Sequence, residues 1–198
     1  MSESLPQAGA LARLAVLPTA NIGDAMDRLG VLDSRIRSVW PGARVAGRAF
    51  TVWTRSGDNA LIHQALEVVG AGDVIVVNGG GDESRALIGD LIGQRAKNSG
   101  VAGFVIDGAV RDAEGLGEMG LPVFARAVTP AGPYKNGPGH LGRTIAVGGV
   151  AVAPGDLVLG DADGVVVVPL AEAERIAQAA EAVFTLEEGK RAAILESA

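Results

Sequence analysis

The sequence predicts one α/β domain built on mixed sheets, not a regular doubly wound fold. Three observations carry that prediction. Through the middle of the chain, helical patterns alternate with short apolar runs. Near the end, three strand patterns follow at short spacing, and then one long Ala-rich helix. The composition is 48% apolar but only 4% aromatic, so the core must be built from Val, Ile, Leu and Ala. At 198 residues the chain can bury one sizeable core. No linker, repeat or low-complexity tail divides it, so residues 1–198 read as a single domain.

Taken in order, TANIGDAMDRLG (19–30) reads as a helix with Ile22, Met26 and Leu29 on one face, Thr19 or Asn21 as its cap and Gly30 as its stop. RVAGRAFTVWTR (44–55) reads as a strand, being rich in β-branched and aromatic residues. GDNALIHQALEVVG (57–70) is a helix capped by Asp58 or Asn59, with Ile62, Ala65, Leu66 and Val69 as its apolar stripe. AGDVIVVNGGGD (71–82) is a short buried strand entering a glycine loop. ALIGDLIGQRAKNSG (86–100) is helical and closes at Gly100. VAGFVIDG (101–108) is a buried strand, RDAEGLGEMG (111–120) a short helix and LPVFARA (121–127) another strand. Residues 129–143 are a loop dense in Pro and Gly. TIAVGGVAV, DLVLGD and GVVVVP are three closely spaced strands, and a helix of about residues 170–196 ends the chain.

Composition also excludes functions. The net charge is −6 and no Lys/Arg cluster stands out, which opposes a phosphate-binding surface and hence a nucleic-acid partner. Cysteine is absent, which removes disulfides and thiolate metal sites. The N-terminal residues lack a basic start and an apolar core, and no apolar run approaches the ~18 residues of a membrane span. The expectation is a cytoplasmic protein without a membrane partner.

Several motifs are weaker than they look. VIVVNGGGDESRALIG suggests dinucleotide or S-adenosylmethionine binding, but Ser84 stands where the third glycine of the fingerprint belongs. DADGVVVV, from Asp161, begins like a calcium loop and then places Val165 and Val166 at a ligand position and at the turn glycine. It reads as a turn feeding a strand. His63 lies near an apolar helix stripe, and His140 lies in the Gly/Pro loop with no acid beside it. Two histidines and no cysteine would supply a zinc site poorly.

Oxygen chemistry remains. Asp90 and Asp112 are hard ligands suited to Mg2+ or Mn2+. Arg111 suits a planar carboxylate, which its fork can hold by two hydrogen bonds. If Asp90 opens the helix after Gly89, the backbone N–H groups of residues 90–93 form an anion site, and Gly89 and Gly93 let a ligand come close. Arg111 and Asp112 directly follow a buried strand, a rigid place for chemistry. Residue types alone fit a second reading equally: a surface ion pair and a helix-capping acid.

The spacing carries a resemblance. Asp90, twenty residues, then Arg111-Asp112 resembles the D-x20-R-D pattern of the 4-hydroxy-4-methyl-2-oxoglutarate aldolase family, which includes the regulator of ribonuclease activity A. GDN (57–59), GDVIVVNGG, GDLIG, GVAGFVIDGAVRD, LPVFARA and GGVAVAPGDLVLGDADGVVVVP also resemble family segments in family order, over roughly residues 18–185. The resemblance implies an αββα sandwich of the swivelling-domain type, assembled as a homotrimer or homohexamer with sites near subunit interfaces. It implies retro-aldol cleavage of 4-hydroxy-4-methyl-2-oxoglutarate to two pyruvates, cleavage of 4-carboxy-4-hydroxy-2-oxoadipate, and decarboxylation of oxaloacetate. The implied cofactor is Mg2+ or Mn2+. Asp112 would bind it directly, and Asp90 through metal-bound water. Arg111 would contact the C2 oxygen of a small 2-oxo acid, and the amides of Gly89, Asp90, Leu91, Ile92 and Gly93 its carboxylate. Glu114 would lend a hydrogen bond. Lys97, two turns beyond Asp90, lies too far along to serve a Schiff base there. The rival readings are a non-enzymatic regulator that binds a ribonuclease or helicase, and a methyltransferase-like S-adenosylmethionine binder. Retention of the acid at Asp112 favours the enzyme.

Overall fold

The computed structural model describes residues 5–197. The elements are α1 (Leu5–Leu14), α2 (Thr19–Asp24), β1 (Arg37–Ser38), β2 (Val45–Thr54), α3 (Ala60–Ala65), β3 (Asp73–Ala86), α4 (Asp90–Asn98), β4 (Gly103–Val110), α5 (Ala113–Glu118) and β5 (Val123–Val128). There follow β6 (Gly139–Leu141), β7 (Ile145–Val147), β8 (Val150–Val152), β9 (Leu157–Asp161), β10 (Gly164–Val168), a 3-10 turn at Leu170–Glu172 and α6 (Ala173–Glu196). No helix among the described residues is long and apolar enough to cross a membrane.

One sheet runs in the order β1-β5-β4-β3-β2-β9-β10, with β6 also paired to β2. The pairs β2/β3, β3/β4 and β4/β5 are parallel; those to β1, β6 and β9 and the β9/β10 pair are antiparallel. The first half of β2 takes β9 and its second half takes β6, so one long strand joins two parts of the fold.

Strand alternation sorts the side chains into three cores. Ile75, Val77, Phe104, Ile106 and Val123 face α3, α4 and α5. Their sequence neighbours Val74, Val76, Val105 and Phe124 face the other way, onto Val158, Val165, Val167 and the β7–β8 hairpin. Leu157, Leu159, Val166 and Val168 then meet α1, α2 and α6. The layers are helix, sheet, sheet, helix, the αββα sandwich that the resemblance implies. A parallel strand buried on both faces needs a continuous Val/Ile run, and both VIVV and FVI supply one.

Three local expectations are corrected. The helix beginning at Thr19 stops at Asp24, and Leu29 is 82% exposed instead of packed. Asp27 and Arg28 turn into the left-handed region because residues 30 and 31 pair with β10, through Val167 N–H to Gly30 O and a bridge from Val31 to Val166. The glycine loop after Asn78 is part of β3, which continues to Ala86 across two register shifts. No helix starts at NGGG, so the geometry that a nucleotide fingerprint requires is missing. Residues 144–169 hold four strands, because Gly148 and Gly149 turn TIAVGGVAV into a hairpin.

A buried ionic knot locks this hairpin to the sheet. The Arg126 guanidinium donates to Asp107 through Nε and to Asp33 through Nη1 at 3.2 Å. Asp107 Oδ2 accepts the Gly148 N–H at 2.7 Å, and Asp33 N–H donates to Gly148 O. Arg35 and then Arg126 hold the Asp33 carboxyl well below the usual carboxylate range, against the opposing effect of burial. With Arg126 and Asp107 only 8% and 11% exposed, removing one partner strands a buried charge. Arg126→Ala is therefore expected to cost about 3 kcal/mol, read as a lower urea midpoint with an unchanged m-value.

Candidate functional site

A short hydrogen-bonded alignment brings Asp90 beside Arg111 and Asp112. After its last register shift, the β3 chain runs along the end of β4, with Ala86 opposite Ala109. Leu87 N–H donates to Ala109 O at 2.8 Å, and Arg111 N–H donates to Ile88 O at 2.9 Å. The next residues are Gly89, the N-cap, and Asp90, the first residue of α4. The Asp90 N–H then reaches Asp112 Oδ2 at 3.2 Å.

Two backbone features hold this corner. Asp112 has φ 55°, a left-handed conformation that a non-glycine residue adopts at a cost of about 1–3 kcal/mol. Gly89 is required by proximity. A Cβ there would collide with Asp112 Oδ2 and lie 2.9 Å from Arg111 Cγ. Arg111 Nε lies 3.4 Å from Asp112 Oδ2, and both side chains are about two-fifths exposed. The ion pair of the alternative reading exists, but at that exposure such a pair contributes little stability. Asp112 Oδ1 takes no hydrogen bond among the described residues.

The helix start offers less than the sequence suggests. Of the amides from 90 to 93, that of Asp90 is held by Asp112, that of Leu91 by Asp90 Oδ1 at 2.7 Å, and that of Gly93 by Gly89 O. The Ile92 N–H alone keeps no acceptor among the described residues. Gly93 serves helix packing instead of ligand approach. A Cβ there would press on Leu116, Leu121 and Met119, so the glycine lets α4 lie against α5. Glu114 makes no hydrogen bond among the described residues, and Lys97 donates to Met119 O.

Gly89, Asp90, Leu91, Ile92 and Arg111 line a cleft of about 120 Å3. Drug-sized sites run to roughly 300–1,000 Å3, so this one suits a few-carbon molecule. Asp112 stands beside it. A larger hollow of about 400 Å3 lies elsewhere, beside Met26, Leu29 and Val150, and its Glu172 and Arg175 are paired to each other.

The cleft also has lining residues that sequence reading did not single out for the site: Asn59, His63, Pro133 and Lys135. Asn59 is buried, its Nδ2 donates to Leu87 O, and its Oδ1 takes no donor. Arg95 Nη1 meets His63 Nδ1 at 3.1 Å. Burial first, then the charges of Lys135 and Arg95, push the His63 pKa down. GDN at 57–59 was a signal for this wall, since it stood among the family-like segments. His140, by contrast, stacks on Trp53. Asp161 accepts from Thr19 and Asp163 at the β9–β10 turn, where it acts as a structural tie.

Asp58 fixes the loop that carries Lys135. Its buried carboxylate accepts the N–H groups of Ala60, Asn136 and Gly137, each at 2.9 Å, and pairs with Arg55.

The donor set can be tested against a metal. Among the described residues no group of three or more His, Asp or Glu side chains could enclose an ion. The site offers two carboxylates at the solvent edge. That fits Mg2+ or Mn2+, which keep several waters and take one or two protein carboxylates. It does not fit caged Zn2+ or Ca2+.

Comparison with known proteins places the chain in a family. The sequence profile of the family described as Aldolase/RraA matches residues 19–167. A Halalkalibacterium halodurans protein named "Putative 4-hydroxy-4-methyl-2-oxoglutarate aldolase" is 39% identical over 94% of this chain and 89% of its own. A Thermus thermophilus 4-hydroxy-4-methyl-2-oxoglutarate aldolase is 38% identical over 76% of this chain and 92% of its own. The crystal structure of Streptomyces coelicolor RraAS2, described as an unusual member of the RNase ES inhibitor RraA family, superposes with a TM-score of 0.83 at 31% identity, over 92% of this chain and 96% of that one.

Two outcomes follow from the local geometry. In Gly89→Ala, a crystal structure should show Arg111 and Asp112 displaced from their present positions, with β4 unmoved. For Asp58, burial works to raise the carboxyl pKa, but the three N–H donors and Arg55 outweigh it and hold it down. A depressed folded pKa gives stability that is present above the unfolded value, about 3.9, and lost as pH falls through the folded one. The stability gap between wild type and Asp58→Asn should therefore be full at pH 7 and narrow below about pH 4, measured by urea denaturation across that range.

Proposed function

The chain belongs to the Aldolase/RraA family, and from that premise we propose that it is a divalent-metal-dependent aldolase. Its substrate would be 4-hydroxy-4-methyl-2-oxoglutarate or a related 4-hydroxy-2-oxo acid, cleaved to release pyruvate, with oxaloacetate decarboxylation as a second activity. One observation carries the reading: Asp90 meets the distant Arg111-Asp112 pair at one small cleft, with Asp112 beside it and an Ile92 amide that has no acceptor among the described residues.

The chemistry follows from the charges. The C4 hydroxyl loses a proton, the C3–C4 bond breaks, and its electrons move onto C3, leaving the pyruvate enolate. Protonation at C3 then gives pyruvate. Oxaloacetate yields the same enolate by loss of CO2. A bound Mg2+ or Mn2+, held by Asp112 with Asp90 beside it, would act as a Lewis acid toward the developing negative charge. Arg111 donates hydrogen bonds to the C2 oxygen as that oxygen gains charge. The Ile92 N–H, at the positive end of α4, donates to one carboxylate oxygen of the substrate. Asp90 is the one carboxylate on the cleft lining, so the hydroxyl proton leaves toward it, directly or through a water. The left-handed backbone at Asp112 holds its carboxylate in place before substrate arrives.

A homotrimer or homohexamer forms part of the same proposal, supported by exposed apolar side chains such as Leu29, Leu186 and Leu195. The likeness to Streptomyces coelicolor RraAS2, a member of a ribonuclease-inhibitor family, favours a second reading, a non-enzymatic inhibitor of a ribonuclease. Capture of a ribonuclease with no pyruvate formed from any of these acids would support it.

Arg111→Ala should lower kcat by about 10²–10³ in a lactate-dehydrogenase-coupled assay, with the melting temperature nearly unchanged. Asn tolerates the left-handed region, so Asp112→Asn should fold and lose metal-dependent activity. EDTA should silence the wild type, and Mg2+ or Mn2+ should restore it. Activity that survives chelation would contradict the metal-dependent reading.

A further inference from the structure

Arg111 is the one arginine on the cleft lining, yet little holds its guanidinium. Its Nε lies 3.4 Å from Asp112 Oδ2, and among the described residues its Nη groups make no hydrogen bond. A ligand oxygen needs that freedom, and a competitor for it lies close by. The segment between β5 and β6 passes over Arg111, where a Cβ at Gly132 would lie 3.5 Å from Nη1. The carbonyl of so near a residue is a natural acceptor for a guanidinium, which can only donate. Gly132 O is already taken, however: Arg85 Nη1 donates to it at 3.2 Å.

The placing of Gly132 depends on that bond. The residues on either side are tied through the backbone. Ala86 N–H donates to Ala131 O at 2.8 Å, Tyr134 N–H to Gly57 O at 2.7 Å, and Asn59 N–H to Tyr134 O at 3.0 Å. Between these ties Pro133 has no N–H to offer. The Arg85 contact is the one hydrogen bond of residues 132 and 133 among the described residues.

Arg85 is well anchored for this task. It stands in the last part of β3, where the register shifts before Ala86. Its stem lies against Gly57, where an added Cβ would come within 2.9 Å of Arg85 Cδ. Its guanidinium carbon lies 4.3 Å from the Tyr134 ring centre. The planar group therefore rests its face on an aromatic ring and turns an edge donor to the carbonyl, which a lysine cannot do together. Arg85 is not on the cleft lining, so it acts only through what it holds.

We propose that Arg85 is a positioning residue for Arg111. By occupying the Gly132 carbonyl it leaves both Nη groups of Arg111 free for the C2 oxygen of the ligand. Without a donor at position 85, that carbonyl turns to Arg111, and the catalytic guanidinium meets the ligand already bonded. The identity of the ligand rests on the aldolase reading. The competition of two arginines for one carbonyl does not.

The test uses Arg85→Met, which keeps the stem against Gly57 and removes the donors, and Arg85→Lys, which restores one donor. In a crystal structure of Arg85→Met, Arg111 is expected to donate to Gly132 O. An Arg111 that stays in place overturns the proposal, whatever the reaction. In pyruvate release from 4-hydroxy-4-methyl-2-oxoglutarate with Mg2+, kcat should fall roughly 10–100-fold in Arg85→Met, with KM little changed, and largely recover in Arg85→Lys. In an Arg111→Ala background the same change should cost nothing further, because the group it positions is gone. An undiminished kcat in Arg85→Met overturns the positioning role. So does an equal fold loss in both backgrounds, the mark of a residue that only supports the fold. Wild-type protein that releases pyruvate neither from this acid nor from oxaloacetate overturns the aldolase reading instead, and the crystal structure then decides the positioning by itself.

Discussion

The alignment of residues 86–89 with the end of β4 is the constraint on which the site depends. Two backbone hydrogen bonds, Leu87 to Ala109 and Arg111 to Ile88, place the start of α4 against the exit of a strand buried on both faces. Everything chemical follows from this register. It sets Asp90 N–H on Asp112, brings Gly89 so near Arg111 that no Cβ fits, and leaves the Ile92 amide without an acceptor among the described residues. A slip by one residue would turn each of these groups to another side. The rest of the fold keeps that register from slipping: β4 lies at the centre of the parallel strands, between two apolar cores.

Charged residues away from the site do a related task. Asp107, Arg126 and Asp33 tie β4 and β5 to the β7–β8 hairpin, and Asp58 ties the 134–137 segment to the start of α3. In both cases a buried carboxylate accepts backbone N–H groups that irregular chain would otherwise leave without partners. The carboxylates in and beside the cleft differ. Asp90 and Asp112 stay at the solvent edge with part of their capacity free, which is the condition a hydrated divalent ion needs.

Much of this was legible in the sequence, because it rests on local patterns. VIVV, FVID and GVVVV mark strands buried on both sides, and Gly89-Asp90 marks the opening of α4. What was not legible arose from long-range pairing. The helix drawn through Leu29 fails because residues 30 and 31 join β10, and the glycine run after Asn78 is a bulged strand because it borders β4. Gly93 looked like a ligand-facing glycine, yet it packs α4 on α5; helical spacing cannot reveal which neighbour fills a face. Lys135 was hidden for the same reason. It belongs to a Pro/Gly loop with no pattern of its own, and only the bonds to Asp58 and Gly57 bring it to the cleft.

In the proposed function, Asp90, Arg111 and Asp112 would surround one metal-dependent site for a pyruvyl group. A crystal soaked with Mn2+ and oxalate, a planar mimic of the pyruvate enolate, tests it most directly. The expected result is an anomalous peak bound to Asp112, with oxalate between that ion, Arg111 and the Ile92 amide. An anomalous peak elsewhere on the molecule, or oxalate that ignores Arg111, would contradict it.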